Sequence, residues 1–325
     1  MREHDLGGRP RGRRRPRFDD DEPYSPLDDT PFAPFGDEDD EPDSPFDDEP
    51  QFLKRHRRGA PPPSPDEDPD TNWTTWDASG VLHGPRPRPD WVVTALAAVD
   101  TDLGILKTGK EADVHLVRRE VPDGGPSSLL AAKRYRAPEH RLFHRDAGYV
   151  EGRRVRRSRE TRAMANRTAA GRQMLAGQWA TAEFAALSRL YELDVAVPYP
   201  VQLLGTELML EFVGDPDGAA ASRLAQLRPD RAELADLWRQ LVDALVTMAR
   251  AGLAHGDLSP YNILVHHGRL VLIDLPQVVD VVTNPQGRDF LVRDVRNVAK
   301  WFGARGLDAD PDDLAGDLLA DAGVR

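Results

Sequence analysis

The chain has 325 residues, a formal net charge of −12 and no cysteine. That length holds one or two domains, and the missing thiols exclude a disulfide framework, a zinc–thiolate site and cysteine catalysis. No apolar run approaches the ~20 residues needed to span a bilayer, and the N-terminus, MREHDLGGRPRGRRRPRF, lacks the apolar segment of a secretory signal, so a cytoplasmic protein without membrane partners is expected. The charge is uneven. Residues 1–70 hold 21 Asp/Glu, 11 Lys/Arg and 14 of the 28 prolines, which leaves the rest close to neutral. Such a segment buries too little apolar surface to offset chain entropy. Residues 1–72 are therefore expected to form a disordered acidic, Pro-rich tail. It reads as a docking or solubilising segment, or as a tail with no specific partner.

Residues 73–102 read as a poorly ordered lead-in with a short amphipathic helix over 90–98. Residues 103–214 should form a small β-rich lobe. It would hold strands around a glycine turn within 103–117, a strand over 128–135, a helix over 177–191 and a hairpin over 201–213. Inside it, residues 134–172 carry twelve Arg and four acids with little apolar periodicity, and read as a flexible loop. The remainder, 215–325, is mainly helical. Leu234, Leu237, Leu241, Leu245 and Met248 share one face of a helix over 231–251, and further helices are expected over 289–302 and 311–322. Short strands flank a turn at His266–Gly268. A sheet with one helix, followed by a mostly helical half, is an α+β, bilobal pattern.

The chemistry sits in LAHGDLSPYNILVHHGRLVLID, residues 253–274. It presents Asp257, Asn262 five positions on, and Asp274 closing an apolar run. In protein-kinase catalytic loops the Asp faces the hydroxyl to be phosphorylated, and the Asn and later Asp hold Mg²⁺ on the ATP phosphates. Two features depart from that wording. Gly256 stands where Arg is usual, and Leu275, Pro276 and Gln277 follow Asp274 in place of D-F-G.

Upstream, the turn holding Thr108, Gly109, Lys110 and Glu111 lets backbone N–H groups approach phosphate oxygens, although a purely structural turn would look the same. GILKTGK imitates the start of a Walker loop, but Glu111 replaces its Ser/Thr and a strand follows instead of a helix. Lys133, on the strand LLAAKRY, can pair ATP phosphates and a helix Glu, and Glu183 is the well-placed partner. His255 reads as structural. His140 and His144 lack a third ligand and are not taken as a metal site, and His266 and His267 read as turn residues. The Arg-rich stretch could contact RNA phosphates, dock an acidic partner, or form a solvated face.

These residues resemble the RIO kinases, atypical Ser/Thr protein kinases and ATPases, over residues 103–302. The matching pieces are TGKEADV (108–114), AAKRY (131–135), the helix around Trp179 and Glu183, LMLEFVG (208–214), HGDLSPYNIL (255–264), LIDLPQ (272–277) and NPQGRDFLVRDVRNV (284–298). The resemblance implies a RIO-type bilobal kinase fold without an activation loop. It implies that Lys133 binds the α/β-phosphates and pairs with Glu183, that Asp257 is catalytic, and that Asn262 and Asp274 hold Mg²⁺ or Mn²⁺. It further implies that backbone atoms of Glu211 and Val213 receive the adenine, and that Ser259 and Tyr261 shape the catalytic loop. Lys107 departs from the small polar residue usual before T-G-K-E.

Three functions follow as expectations. The first is ATP-dependent phosphorylation of a protein serine or threonine. The second is an ATPase switch gating release from an RNA or ribosomal particle. The third is a non-catalytic RNA or protein scaffold using the Arg-rich loop. The intact set Lys133, Asp257, Asn262 and Asp274 argues against the third.

Overall fold

Alternating apolar and polar residues build the first half of the molecule. The computed structural model describes residues 70–136 and 169–324. The strands are β1 (Thr71–Trp73), β2 (Leu82–His83), β3 (Val99–Thr108), β4 (Ala112–Glu120), β5 (Ser127–Tyr135), β6 (Pro200–Leu204) and β7 (Glu207–Glu211). They form one antiparallel sheet in the order β1-β3-β4-β5-β7-β6-β2. Strand side chains alternate between faces. Leu130 and Ala132 therefore meet Trp76, Val117, Tyr199, Val201 and Met209 on one side. Lys133 and Tyr135 project to the other, where Tyr135 and Leu208 share a core with Trp179, Phe184 and Leu187 of α1 (Ala169–Glu192).

The second half is mainly helical. Helix α2 (Arg231–Arg250) begins at a capping box: the Asp230 carboxylate accepts from Ala232 N (2.8 Å) and Glu233 N (2.9 Å), and Glu233 reaches back to Asp230 N. Its buried stripe is Leu234, Leu237, Leu241, Ala244, Leu245 and Met248, which contains every leucine and methionine expected from the periodicity. Short strands β8 (Ser222–Arg223), β9 (Leu253–Ala254), β10 (Ile263–His266), β11 (Arg269–Leu272) and β12 (Val279–Asp280) frame the loops. They pair as β11-β10-β8 and β12-β9. Helices α3 (Gly287–Gly303) and α4 (Pro311–Asp321) close the domain. No helix among the described residues is long and apolar enough to cross a membrane.

The segment 70–102 differs most from expectation. It was read as tail and loose lead-in, yet β1 and β2 are strands at the two edges of the sheet. Thr71 pairs with Thr101 in register, and their hydroxyls are 3.1 Å apart. Their pairing partners, β3 and β6, are tied together by a buried polar network. Arg119, fully buried, binds Asp100 through two nitrogens at 2.7 Å each and Gln202 at 2.9 Å, and Gln202 donates to Thr75. The helix expected over 90–98 is also absent. Val92 N bonds Pro89 O, and Ala98 N bonds Ala95 O, which are single turns. Trp91 and Val92 pack onto the Trp76 cluster instead, so tertiary burial overrides a weak, β-branched helical signal. The tail over 1–69 and the Arg-rich stretch over 137–168, with His140 and His144, lie outside the described residues.

Candidate active site

The strand period aims Lys133 toward α1, and its Nζ donates to Glu183 Oε1 at 2.8 Å and to Asp274 Oδ1 at 2.7 Å. The Lys133 side chain is 12% exposed and that of Glu183 only 1%. Burial alone would lower the Lys133 pKa, but the two carboxylates outweigh it and hold the ammonium above its usual range. Lys133 in turn depresses Asp274 to about 2. The sign follows for stability. A depressed carboxylate contributes fully above its ordinary value of 3.8 and loses that contribution as pH falls through about 2. Glu183 is a buried hub, since it also accepts from the Tyr135 hydroxyl and from Leu275 N (3.2 Å). Burial, followed by the Glu183 charge, holds Tyr135 protonated, and Glu111 adds to the same effect. The Glu183 hub joins the sheet, α1 and the segment after Asp274.

The loop from Ala254 to Ile263 carries the second group. His255 is buried, and its Nε2 lies 3.0 Å from Ile273 O. It ties this loop to the strand that delivers Asp274, as the structural reading expected. Asp257 is half-buried, and among the described residues no partner holds its carboxylate. Asn262 is buried and donates Nδ2 to Asp257 O at 2.8 Å, which leaves its Oδ1 as the end available to a ligand. Asp274 sits at φ +67°. Two oxygen donors, from Asn262 and Asp274, suit a hard cation such as Mg²⁺ that completes its shell with water and phosphate.

Helix α3 anchors this loop from below. The Asp294 carboxylate, 1% exposed, accepts from Gly256 N at 2.7 Å and Leu258 N at 2.9 Å. Asn297 Nδ2 donates to Leu258 O at 3.1 Å, and the Arg293 guanidinium donates to Gly256 O. Burial raises the Asp294 pKa, against those backbone bonds and His255. The glycine at 256 is explained here. Its φ is +83°, and an added Cβ would meet Gln277 O at 2.2 Å. Restoring the usual arginine with Gly256→Arg should therefore destabilise the protein by at least about 1–2 kcal/mol for the left-handed backbone alone, with the clash in addition. Thermal melts check this, and an unchanged melting temperature would refute the steric argument.

The remaining predicted residues fall in three places. In the Thr108–Glu111 turn, Gly109 N bonds Ala112 O at 2.9 Å, and Arg136 N bonds Glu111 O at 2.8 Å. The turn joins β3 to β4, so it is no Walker loop. Glu211 N and Tyr199 O pair at 2.9 Å, and the Glu211 carboxylate accepts from Tyr199 N at 3.0 Å. That side chain fastens the strand pair, and burial raises its pKa. Val213 O accepts from Ala221 N. Ser259 O accepts from Asn262 N, while the Tyr261 ring is exposed and its carbonyl accepts from Arg223.

Sequence reasoning missed Asp294 and Arg223 and left Lys107 as a mere departure. A β-bulge between Ile105 and Lys107 brings Lys107 opposite Val114, which is itself opposite Lys133. Bulges re-aim side chains in this way, and cross-strand partners share a face, so Lys107 lies on the Lys133 side. Solvent still reaches it. Even so, desolvation, followed by Arg223 and then Lys133, lowers its pKa, and Asp274 opposes that shift.

In protein kinases a Lys–Glu pair hangs from the sheet, and an Asp–Asn loop with a second Asp comes from the helical half; this structure has that division. A sequence model described as the RIO domain matches residues 135–314, and the chain belongs to the RIO family. The match includes Glu183, Asp257, Asn262 and Asp274; Lys133 precedes it and joins it through its two ion pairs. The chain is 36% identical over 226 residues to the RIO-type serine/threonine-protein kinase Rio1 of Haloferax volcanii, covering 69% of this chain and 71% of that protein. It is 31% identical over 136 residues to the Thermoplasma acidophilum protein of the same description, covering 42% of this chain and 69% of the relative. Against serine/threonine-protein kinase RIO1 of Chaetomium thermophilum, identity is 35% over 153 residues, 44% of this chain and 29% of the relative.

Proposed function

We propose that the protein transfers the γ-phosphate of ATP to a serine or threonine hydroxyl of a protein substrate. The observation that carries this reading is Lys133 held between Glu183 and Asp274 at 2.8 and 2.7 Å. Those contacts keep the ammonium charged and pointed at the place where phosphates would lie. Glu183 orients Lys133. Asp257 accepts the hydroxyl proton, and the Asn262–Asp257 bond fixes the loop that presents it. Asn262 and Asp274 would hold Mg²⁺, which when bound neutralises charge on the transferring phosphate. Backbone groups of Glu211 and Val213 would take the adenine. The turn of Thr108, Gly109, Lys110 and Glu111 would cover the phosphates, with Lys107 and Arg223 adding positive charge beside Asp274. Ser259 and Tyr261 shape the catalytic loop through their carbonyls. A need for ATP suits the cytoplasm.

Asp257→Ala tests the reading. Transfer should fall by about 10²- to 10⁴-fold, the contribution of a positioned base, while calorimetric ATP affinity stays near wild type. An equal loss of affinity would make Asp257 a nucleotide-binding residue instead. One observation favours the ATPase switch as a second reading. Only residues 275–286 separate Asp274 from α3, and Val279–Asp280 within them pair with β9. That leaves little chain for an extended peptide platform. In this reading the partner is an RNA or ribosomal particle. Labelled ATP followed into free phosphate and into protein, side by side, separates the two.

A further inference from the structure

A second constellation lies outside the site described above, at the turn between β10 and β11. His266 ends β10, and His267 follows at φ +49°. Their rings lie 4.0 Å apart. Both reach one carboxylate oxygen: Asp215 Oδ1 is 3.1 Å from His266 Nε2 and 3.4 Å from His267 Nε2. The backbone behind each group is pinned. Asp215 N bonds Ala219 O at 2.8 Å, and Gly218 N bonds Asp215 O at 2.9 Å. On the other side, β10 pairs with both β11 and β8.

We propose that Asp215, His266 and His267 form a binding site for a divalent transition-metal ion of the zinc class. Zinc binds imidazole nitrogen and carboxylate oxygen at about 2.0–2.2 Å. Around a tetrahedral centre, such bonds set neighbouring donor atoms about 3.3–3.5 Å apart. The two Asp215–His separations, 3.1 and 3.4 Å, lie at or just inside that edge length, so along those two edges little must move for an ion to replace the two hydrogen bonds. All three donor atoms lie within 4.8 Å of one another. Two imidazoles and one carboxylate favour zinc, nickel or cobalt over Mg²⁺ and Ca²⁺, which take oxygen shells. The ligating imidazoles must be neutral, so binding weakens in acid. Three protein ligands leave a fourth position to water.

The location gives the site a consequence. Asp215 lies two residues beyond Val213, and the β10–β11 hairpin leads through Leu272 to Asp274. A bound ion would clamp the segment after β7 to the strand that delivers Asp274.

The test is calorimetric titration of the full chain with Zn²⁺ in a Mg²⁺ background, paired with thermal melts. The intact protein should bind Zn²⁺ saturably and gain melting temperature. Asp215→Asn and His267→Asn should each weaken that step by about tenfold or more, since even outer partners of metal ligands cost that much, and should lose the thermal gain. Asparagine tolerates the left-handed backbone at 267, so the second variant keeps the turn. Zn²⁺ binding and thermal gain that survive in both variants would assign the ion to other histidines and overturn the site. So would failure of the intact protein to bind.

Discussion

Asp274→Asn should cut phosphoryl transfer by about 10²- to 10³-fold, the scale on which losing one preorganised electrostatic group acts, and leave the protein folded. The substitution preserves shape and removes charge. It also suits the backbone, since Asp274 sits at φ +67°, a left-handed conformation that asparagine adopts more readily than most residues. An alanine variant would mix that strain into the result. What is lost is the anion that binds Lys133 at 2.7 Å and is held down to about 2 by it, together with the charged one of the two proposed Mg²⁺ ligands. Lys133 keeps Glu183 at 2.8 Å, so the sheet remains tied to α1. Labelled-ATP assays should show transfer and phosphate release falling together, in a protein that still folds cooperatively but melts somewhat lower for want of the Lys133–Asp274 ion pair. Full activity in a folded Asp274→Asn protein would remove the metal-binding role and with it the main support for the proposed chemistry.

What the sequence disclosed followed from periodicity and order. The leucine spacing of α2 survives in the structure because one face of a long helix has a single place to go. Lys133, Glu183 and Asp274 were legible together because three charges of the right kind occur in the right order on a strand, a helix and the end of an apolar run. The direct contact of Lys133 with Asp274 is a feature that no local pattern predicts. The lead-in was misread because β1 and β2 are too short to show a period. They are held by pairing with β3 and β6, which Arg119 ties together through Asp100 and Gln202; Arg119 is one of two arginines in VRRE and, by sequence, indistinguishable from surface charge. Lys107 is hard to place from sequence for a related reason. Its direction depends on a bulge, and the glycine at 104 was the only hint of irregularity in that strand. Asp294 looked like any acid on an amphipathic helix, since nothing in RDFLVRDVRNV says which charge faces the catalytic loop.

Asp294→Ala should both destabilise the protein and slow its chemistry. The carboxylate is 1% exposed and takes two backbone N–H groups, Gly256 at 2.7 Å and Leu258 at 2.9 Å. Alanine leaves both donors buried without partners, at about 1–3 kcal/mol each. Part of this is returned, because burial raises the Asp294 pKa and shows that holding the charge there costs something. A net loss of about 2–4 kcal/mol is expected, read as a lowered denaturation midpoint at unchanged slope. The functional signature separates positioning from general instability. Gly256 and Leu258 flank Asp257, so their release moves the proposed base and leaves the backbone at Glu211 and Val213 alone. Well below the melting temperature, kcat should fall while KM for ATP changes little. Asp294→Asn keeps one acceptor for the two donors and should fall between wild type and alanine on both measures. If Asp294→Ala melts like wild type and keeps its kcat, the loop is held by Arg293 on Gly256 O and Asn297 on Leu258 O, and Asp294 is not its anchor.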